Sequence, residues 1–104
     1  MEKYKVVWSP KALTDLNRSY RYIFRNLKEP DTARNLYNKI MNNVLALENL
    51  PQRNPDLMYY GIYDKHSRRL RVENYIILYD VDVSNLEVHI LHIFHSKQNY
   101  LNLI

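Results

Sequence analysis

Residues 75–81, Tyr-Ile-Ile-Leu-Tyr-Asp-Val, limit the possible folds more than any other stretch, because all but Asp80 are apolar or aromatic on both faces of an extended chain. A strand of that kind belongs in the middle of a sheet, with cover on each side. Just before it, Leu70 and Val72 alternate with Arg69 and Arg71. A period of two puts the apolar pair on one face and both guanidinium groups on the other. A short polar turn, Glu73-Asn74, joins the two runs, so residues 68–79 read as a basic β-hairpin.

The rest of the chain supplies the cover. Residues 4–8 form a short β-type run that Ser9-Pro10 breaks. Serine followed by proline is a helix start: the hydroxyl caps an orphan backbone N–H, and proline fits the first helical position, where its missing N–H costs nothing. From there Leu13, Leu16, Tyr20, Ile23, Phe24 and Leu27 recur at three- and four-residue steps, predicting an amphipathic helix to about Leu27. Lys11, Asp15, Arg18, Arg21 and Arg25 fall on the other side and read as a solvated face. After a break at residues 28–31, Asp31 is placed to cap a second helix carrying Ala33, Leu36, Tyr37, Ile40, Val44 and Leu47, which ends at Leu50-Pro51. So short a link predicts an antiparallel helix hairpin.

Residues 51–65 mix loop residues with tyrosines and leave the start of the basic hairpin open. Residues 82–85 are turn-forming, and 86–94 form another β-rich run that should pair antiparallel to its predecessor. Tyr100, Leu101 and Ile104 in the tail have the spacing of a short helical turn. The predicted fold is α+β: an N-terminal strand, a two-helix antiparallel hairpin, then a three-stranded antiparallel meander, in the order β-α-α-β-β-β.

A chain of 104 residues supports one core, so residues 1–104 are expected to form one domain with one site. The absence of cysteine excludes a disulfide scaffold, a thiolate zinc site and a cysteine nucleophile. The opening Met-Glu-Lys-Tyr-Lys is no signal peptide, and no apolar run approaches the roughly 18 residues of a membrane span, so the expectation is a cytoplasmic protein with no membrane partner. A formal charge of +4 and a pI near 9.3 favour an anionic partner.

Ser-Pro-Lys-Ala opening the first helix, Arg-Leu-Arg-Val-x-Asn-Tyr-x-x-x-Tyr in the hairpin and Ile-x-His-x-Lys near the end together resemble the RelE/ParE toxin superfamily along the whole chain. That resemblance implies a toxin of a type II toxin–antitoxin module, neutralised by a cognate antitoxin. The superfamily contains ribosome-dependent mRNA interferases and DNA gyrase poisons on one fold, so fold alone does not choose between them. Arg69 and Arg71 lie where RelE-like nucleases keep basic residues. Lys97 lies near the basic residue after the last strand, His95 near a C-terminal histidine, and Tyr100 near a tail tyrosine. One position departs: where the nucleases commonly carry arginine, after the tyrosine opening the second hairpin strand, this chain has Ile76.

RNA cleavage by transphosphorylation needs a base, an acid, and cations around the phosphorane. Imidazole titrates near neutrality, which suits His95 to proton transfer, and Arg69, Arg71 and Lys97 suit the cationic role. The expected catalytic set is therefore Arg69, Arg71, His95, Lys97 and Tyr100, with no cofactor or metal. Arg68, Tyr60 and Tyr63 are candidate RNA-binding residues, an exposed ring being able to stack on a base. His89, His92 and His95 share a three-residue spacing. On a regular strand, however, residues 89 and 95 lie roughly 20 Å apart with His92 on the reverse, so the three do not converge on an ion. Tyr20, Tyr22, Tyr37, Tyr75 and Tyr79 read as core or core rim. Ile76 and Leu78 face away from the helices and are expected to form an open apolar face for the antitoxin. The leading expectation is an mRNA interferase acting with the ribosome and mRNA. A gyrase inhibitor comes second, and a decayed toxin acting only as a binding module third.

Overall fold

The computed structural model describes residues 3–27, 29–56 and 66–96. In chain order they form β1 (Lys5–Trp8), α1 (Pro10–Leu27), α2 (Pro30–Leu45), two 3-10 turns (Ala46–Glu48 and Pro51–Arg53), β2 (Arg68–Val72), β3 (Tyr75–Asp82) and β4 (Glu87–His95). This is the expected α+β arrangement. The strands lie in the order β1-β4-β3-β2, with β1 parallel to β4 and the other neighbours antiparallel. The apolar run at 75–81 thus becomes an inner strand, as its two-faced pattern requires. The tail and the tyrosine-rich segment at 57–65 lie outside the described residues.

α1 begins as its sequence dictates. The Ser9 Oγ accepts a hydrogen bond from the Ala12 N–H at 3.0 Å, and Pro10 takes the first helical position. Its buried face is rotated from the predicted stripe: Ala12, Asp15, Leu16, Ser19 and Ile23 are buried, whereas Leu13 and Tyr20 are exposed. Docking on β4 selects that sector, because the backbone edge it meets offers polar partners as well as apolar surface. α2 starts two residues earlier than predicted: Glu29, not Asp31, holds the extended cap position, with Pro30 at the first helical position. Asp31 instead sits in the first turn, where a carboxylate favours the positive end of the helix dipole.

Both helices cover one face of the sheet. Ala33, Ile40, Val44 and Leu47 from the second helical stretch pack with Leu70, Val72, Tyr75, Ile77, Tyr79, Val88, Ile90 and Ile93. Tyr79 is fully buried, yet its hydroxyl donates to the Pro51 carbonyl at 2.7 Å and accepts from Asn54 Nδ2 at 3.0 Å. These bonds tie the turn after α2 to the middle of β3.

β4 carries a bulge. Tyr79 pairs with Ile90 and Leu78 with His92, which leaves Leu91 without an opposite residue. Val88 and Ile90 face the helices before the bulge, and Ile93 does so after it. One inserted residue has flipped the alternation, so His89 and His95 do not share a face as a regular strand would require.

Candidate functional site

The Arg-bearing hairpin has the predicted alternation. Arg69 pairs with Leu78 and Arg71 with Ile76 across β2 and β3, while Leu70 and Val72 pair with Ile77 and Tyr75 in the helix-side core. The two guanidinium groups therefore rise from the face opposite the helices. Arg71 is exposed, and its Nε donates to the Glu73 carbonyl at 3.0 Å; Arg69 is half-buried. Glu73, held in the left-handed region at φ 54°, pairs with Lys39 of α2, and that ammonium lowers the Glu73 carboxyl below its usual range.

Arg68 alternates to the other face and has a tying role within the chain. Its guanidinium donates to the carbonyls of Gln52, at 3.0 Å, and Asn54. Those bonds fasten residues 52–54 to the end of β2, next to Tyr79. A guanidinium holding two backbone carbonyls has fewer donors left for RNA.

His95 is the largest departure from expectation. Named with Arg69 in the expected catalytic set, it pairs with Tyr75 at the far end of β4, and its ring stands edge-on to Tyr75 at 5.4 Å and to Tyr22 of α1 at 6.4 Å between centroids. That places His95 on the helix side of the sheet, away from the face that carries Arg69 and Arg71. The reason is the bulge at Leu91, which resets the side-chain phase of the strand's last residues. Burial raises the Tyr75 phenol above its usual value, with the neighbouring Tyr22 adding to the shift.

Ile76 and Leu78 do face away from the helices, but they form no open apolar patch: they are 1% and 0% exposed and cluster with Phe94. Tyr22, expected at the core or its rim, is 54% exposed. Lys97, Tyr100, Tyr60 and Tyr63 lie outside the described residues.

Sequence reasoning missed Asp15. Its carboxylate is 5% exposed, accepts from the Ile93 N–H at 3.2 Å, pairs with Lys11 and lies 3.6 Å from His92 Nδ1. Together with the Ser9 hydroxyl, which donates to the Leu91 carbonyl at 3.3 Å, it satisfies the edge of β4 beyond the point where β1 stops. The available signal was the spacing of Ala12, Asp15, Leu16, Ser19 and Ile23, which defines a helical stripe as regular as the one predicted.

A different acidic group, Asp82, Glu87 and His89, comes together at the β3–β4 turn, with one ligand atom of each within 4.8 Å of the others. Internal bonds account for it. Asp82 accepts from the Asn85 N–H and Nδ2, which lowers its carboxyl, and Glu87 pairs with His89 at 3.1 Å.

Comparison with known proteins decides the family. Residues 6–100 match the model of the ParE toxin of the type II toxin–antitoxin system parDE. The chain belongs to the ParE toxin family. Its fold is similar to that in the chromosomal ParDE toxin–antitoxin system of P. aeruginosa, at a TM-score of 0.72 and 20% identity, covering 91% of this chain and 98% of that one. It is also similar to the toxin–antitoxin complex RelBE2 of Mycobacterium tuberculosis, at a TM-score of 0.65 and 20% identity, covering 94% and 97%. No curated protein matches the sequence. As a ParE-family toxin, the chain belongs to the superfamily that its helix start and hairpin motifs resemble. Among the described residues no helix is long and apolar enough to cross a membrane.

Proposed function

We propose that this toxin acts by binding its target, DNA gyrase, without chemistry of its own, and that a cognate antitoxin neutralises it. The placement of His95 carries this reading. Acid–base cleavage of RNA asks for a proton-transfer group within hydrogen-bond reach of a phosphate that cations hold. Here the imidazole stands against Tyr22 and Tyr75 on the helix side, while Arg69 and Arg71 rise from the opposite face. The position where related nucleases commonly keep arginine is Ile76, which is 1% exposed. The ParE family match supports the same reading.

The antitoxin suited to this surface is an acidic segment that orders on binding and meets the exposed Arg71. A second reading, a ribosome-dependent mRNA interferase, is favoured by the exposed Arg71 on the first hairpin strand. Purified toxin in a gyrase supercoiling assay, beside primer extension on cellular mRNA after induction, separates the two. The expected result is lost supercoiling, no new mRNA 5′ ends, and unchanged growth inhibition by His95→Asn. New mRNA ends that disappear with His95→Asn would replace this reading with the interferase.

A further inference from the structure

α1 carries Lys11, Arg18, Arg21 and Arg25 but a single acid, Asp15. The fold turns that acid inward, onto the Ile93 N–H and Lys11. The exposed surface of α1 is therefore left with positive charge only. Arg18, Arg21 and Arg25 are exposed, and no ion pair engages them among the described residues. They lie along a groove of about 540 Å³, with Asn17, Tyr22 and Asn26 in its described lining.

We infer that this groove takes the phosphate backbone of duplex DNA, giving the toxin a contact with nucleic acid on the side of the molecule away from Arg69 and Arg71. The inference rests on the gyrase reading for one choice, DNA as the nucleic acid. The rest follows from the groove. Seven residues of helix place Arg18 and Arg25 about 10 Å apart along the axis. Over that length one strand of a duplex sets out about three phosphates. Arginine, asparagine and tyrosine side chains are the usual donors to phosphate oxygens. An acidic peptide is a poorer occupant, because a segment that orders on binding needs apolar anchors, and among the described lining residues, all of them on α1, none is aliphatic. A single strand is poorer too: it binds through successive aromatic platforms, whereas Tyr22, the one ring in the described lining, already stands edge-on to His95.

The test is fluorescence anisotropy of the full chain with a labelled 20-base-pair duplex, single-stranded RNA of matching length serving as the second probe, over a series of salt concentrations. For the parent, duplex binding should weaken steeply with salt. R18Q/R21Q/R25Q should make the slope of log K against log salt shallower by about 2 to 3, at about 0.9 per phosphate contact. Removing three cations elsewhere, with K3Q/K5Q/R34Q, should change it by less than about one. Should the triple groove variant fail to fold by circular dichroism, R21Q alone carries the test, with an expected change of about one. A groove variant with the parent's slope, a control variant with an equal loss, or tighter binding to the RNA would each overturn the inference. Gyrase inhibition by the parent, measured separately, keeps the two ideas apart. Inhibition with an unchanged slope removes only the DNA contact, whereas a lost slope without inhibition removes only the gyrase reading.

Discussion

Asp15 shows how one side chain completes a sheet. β1 ends at Trp8, and the β4 backbone beyond Ile90 would face the interior with an unpaired N–H at Ile93. The carboxylate of Asp15 fills that place and holds Lys11 at its other oxygen. Asp15→Ala would leave a buried donor unsatisfied, and the expected loss is about 1–3 kcal/mol, read as a fall in the urea midpoint at constant slope. Asp15→Asn keeps an acceptor oxygen and should lose less. Equal losses in the two variants would mean that the charge, not the hydrogen bond to Ile93, is what matters. The sequence carried a faint sign of this role in the stripe formed by residues 12, 15, 16, 19 and 23. It lost to the predicted stripe because aspartate on a helix is ordinarily solvated.

The connections between elements carry local strain that a sequence pattern does not reveal. Leu50, Glu73 and Leu86 adopt positive φ angles of 48°, 54° and 53°, a region that disfavours residues with a Cβ. Leu50 bridges the two 3-10 turns and is 55% exposed, so its side chain has little packing to lose. Leu50→Gly should therefore stabilise the fold by up to about 1 kcal/mol and raise Tm by about 4–8 °C, measured by thermal unfolding. A lower Tm would show that the leucine side chain contributes more than its backbone strain costs. The hairpin turn at Glu73-Asn74 and the meander turn were legible from composition. The bulge at Leu91 was not, because nothing in the run from Glu87 to His95 interrupts its β-type composition. That single insertion moved His95 to the helix side, away from the face that carries Arg69.

Across the whole molecule, burial of Tyr75 and Tyr79 links the fold to alkaline pH. Burial raises both phenols above their ordinary value of 10.0; in Tyr79 the Asn54 hydrogen bond and the charges of Arg68 and Arg53 oppose it only in part. A folded-state pKa above the unfolded one means that the folded chain keeps its protons longer. Their contribution is therefore complete below about pH 10 and is lost as pH rises through the raised values. Tm should hold level to about pH 10 and then fall, with a gentler fall in Tyr79→Phe from a lower starting Tm, since that variant loses the bond to Pro51. An identical alkaline limb in the variant would assign the loss to other groups.

What the sequence determined by itself was short-range. The Ser9-Pro10 helix start, the order of elements, the central place of the 75–81 strand and the alternation of Arg69 and Arg71 against Leu70 and Val72 all depend on residues within a few positions of one another. Their stereochemistry acts before any tertiary contact forms. The tertiary structure decided which sector of α1 turns inward, which side of the sheet His95 joins, and how deeply Ile76 and Leu78 are buried. Those outcomes depend on partners far along the chain, such as Asp15 with Ile93. Periodicity defines the faces of an element, but only docking and strand register choose the neighbour each face meets.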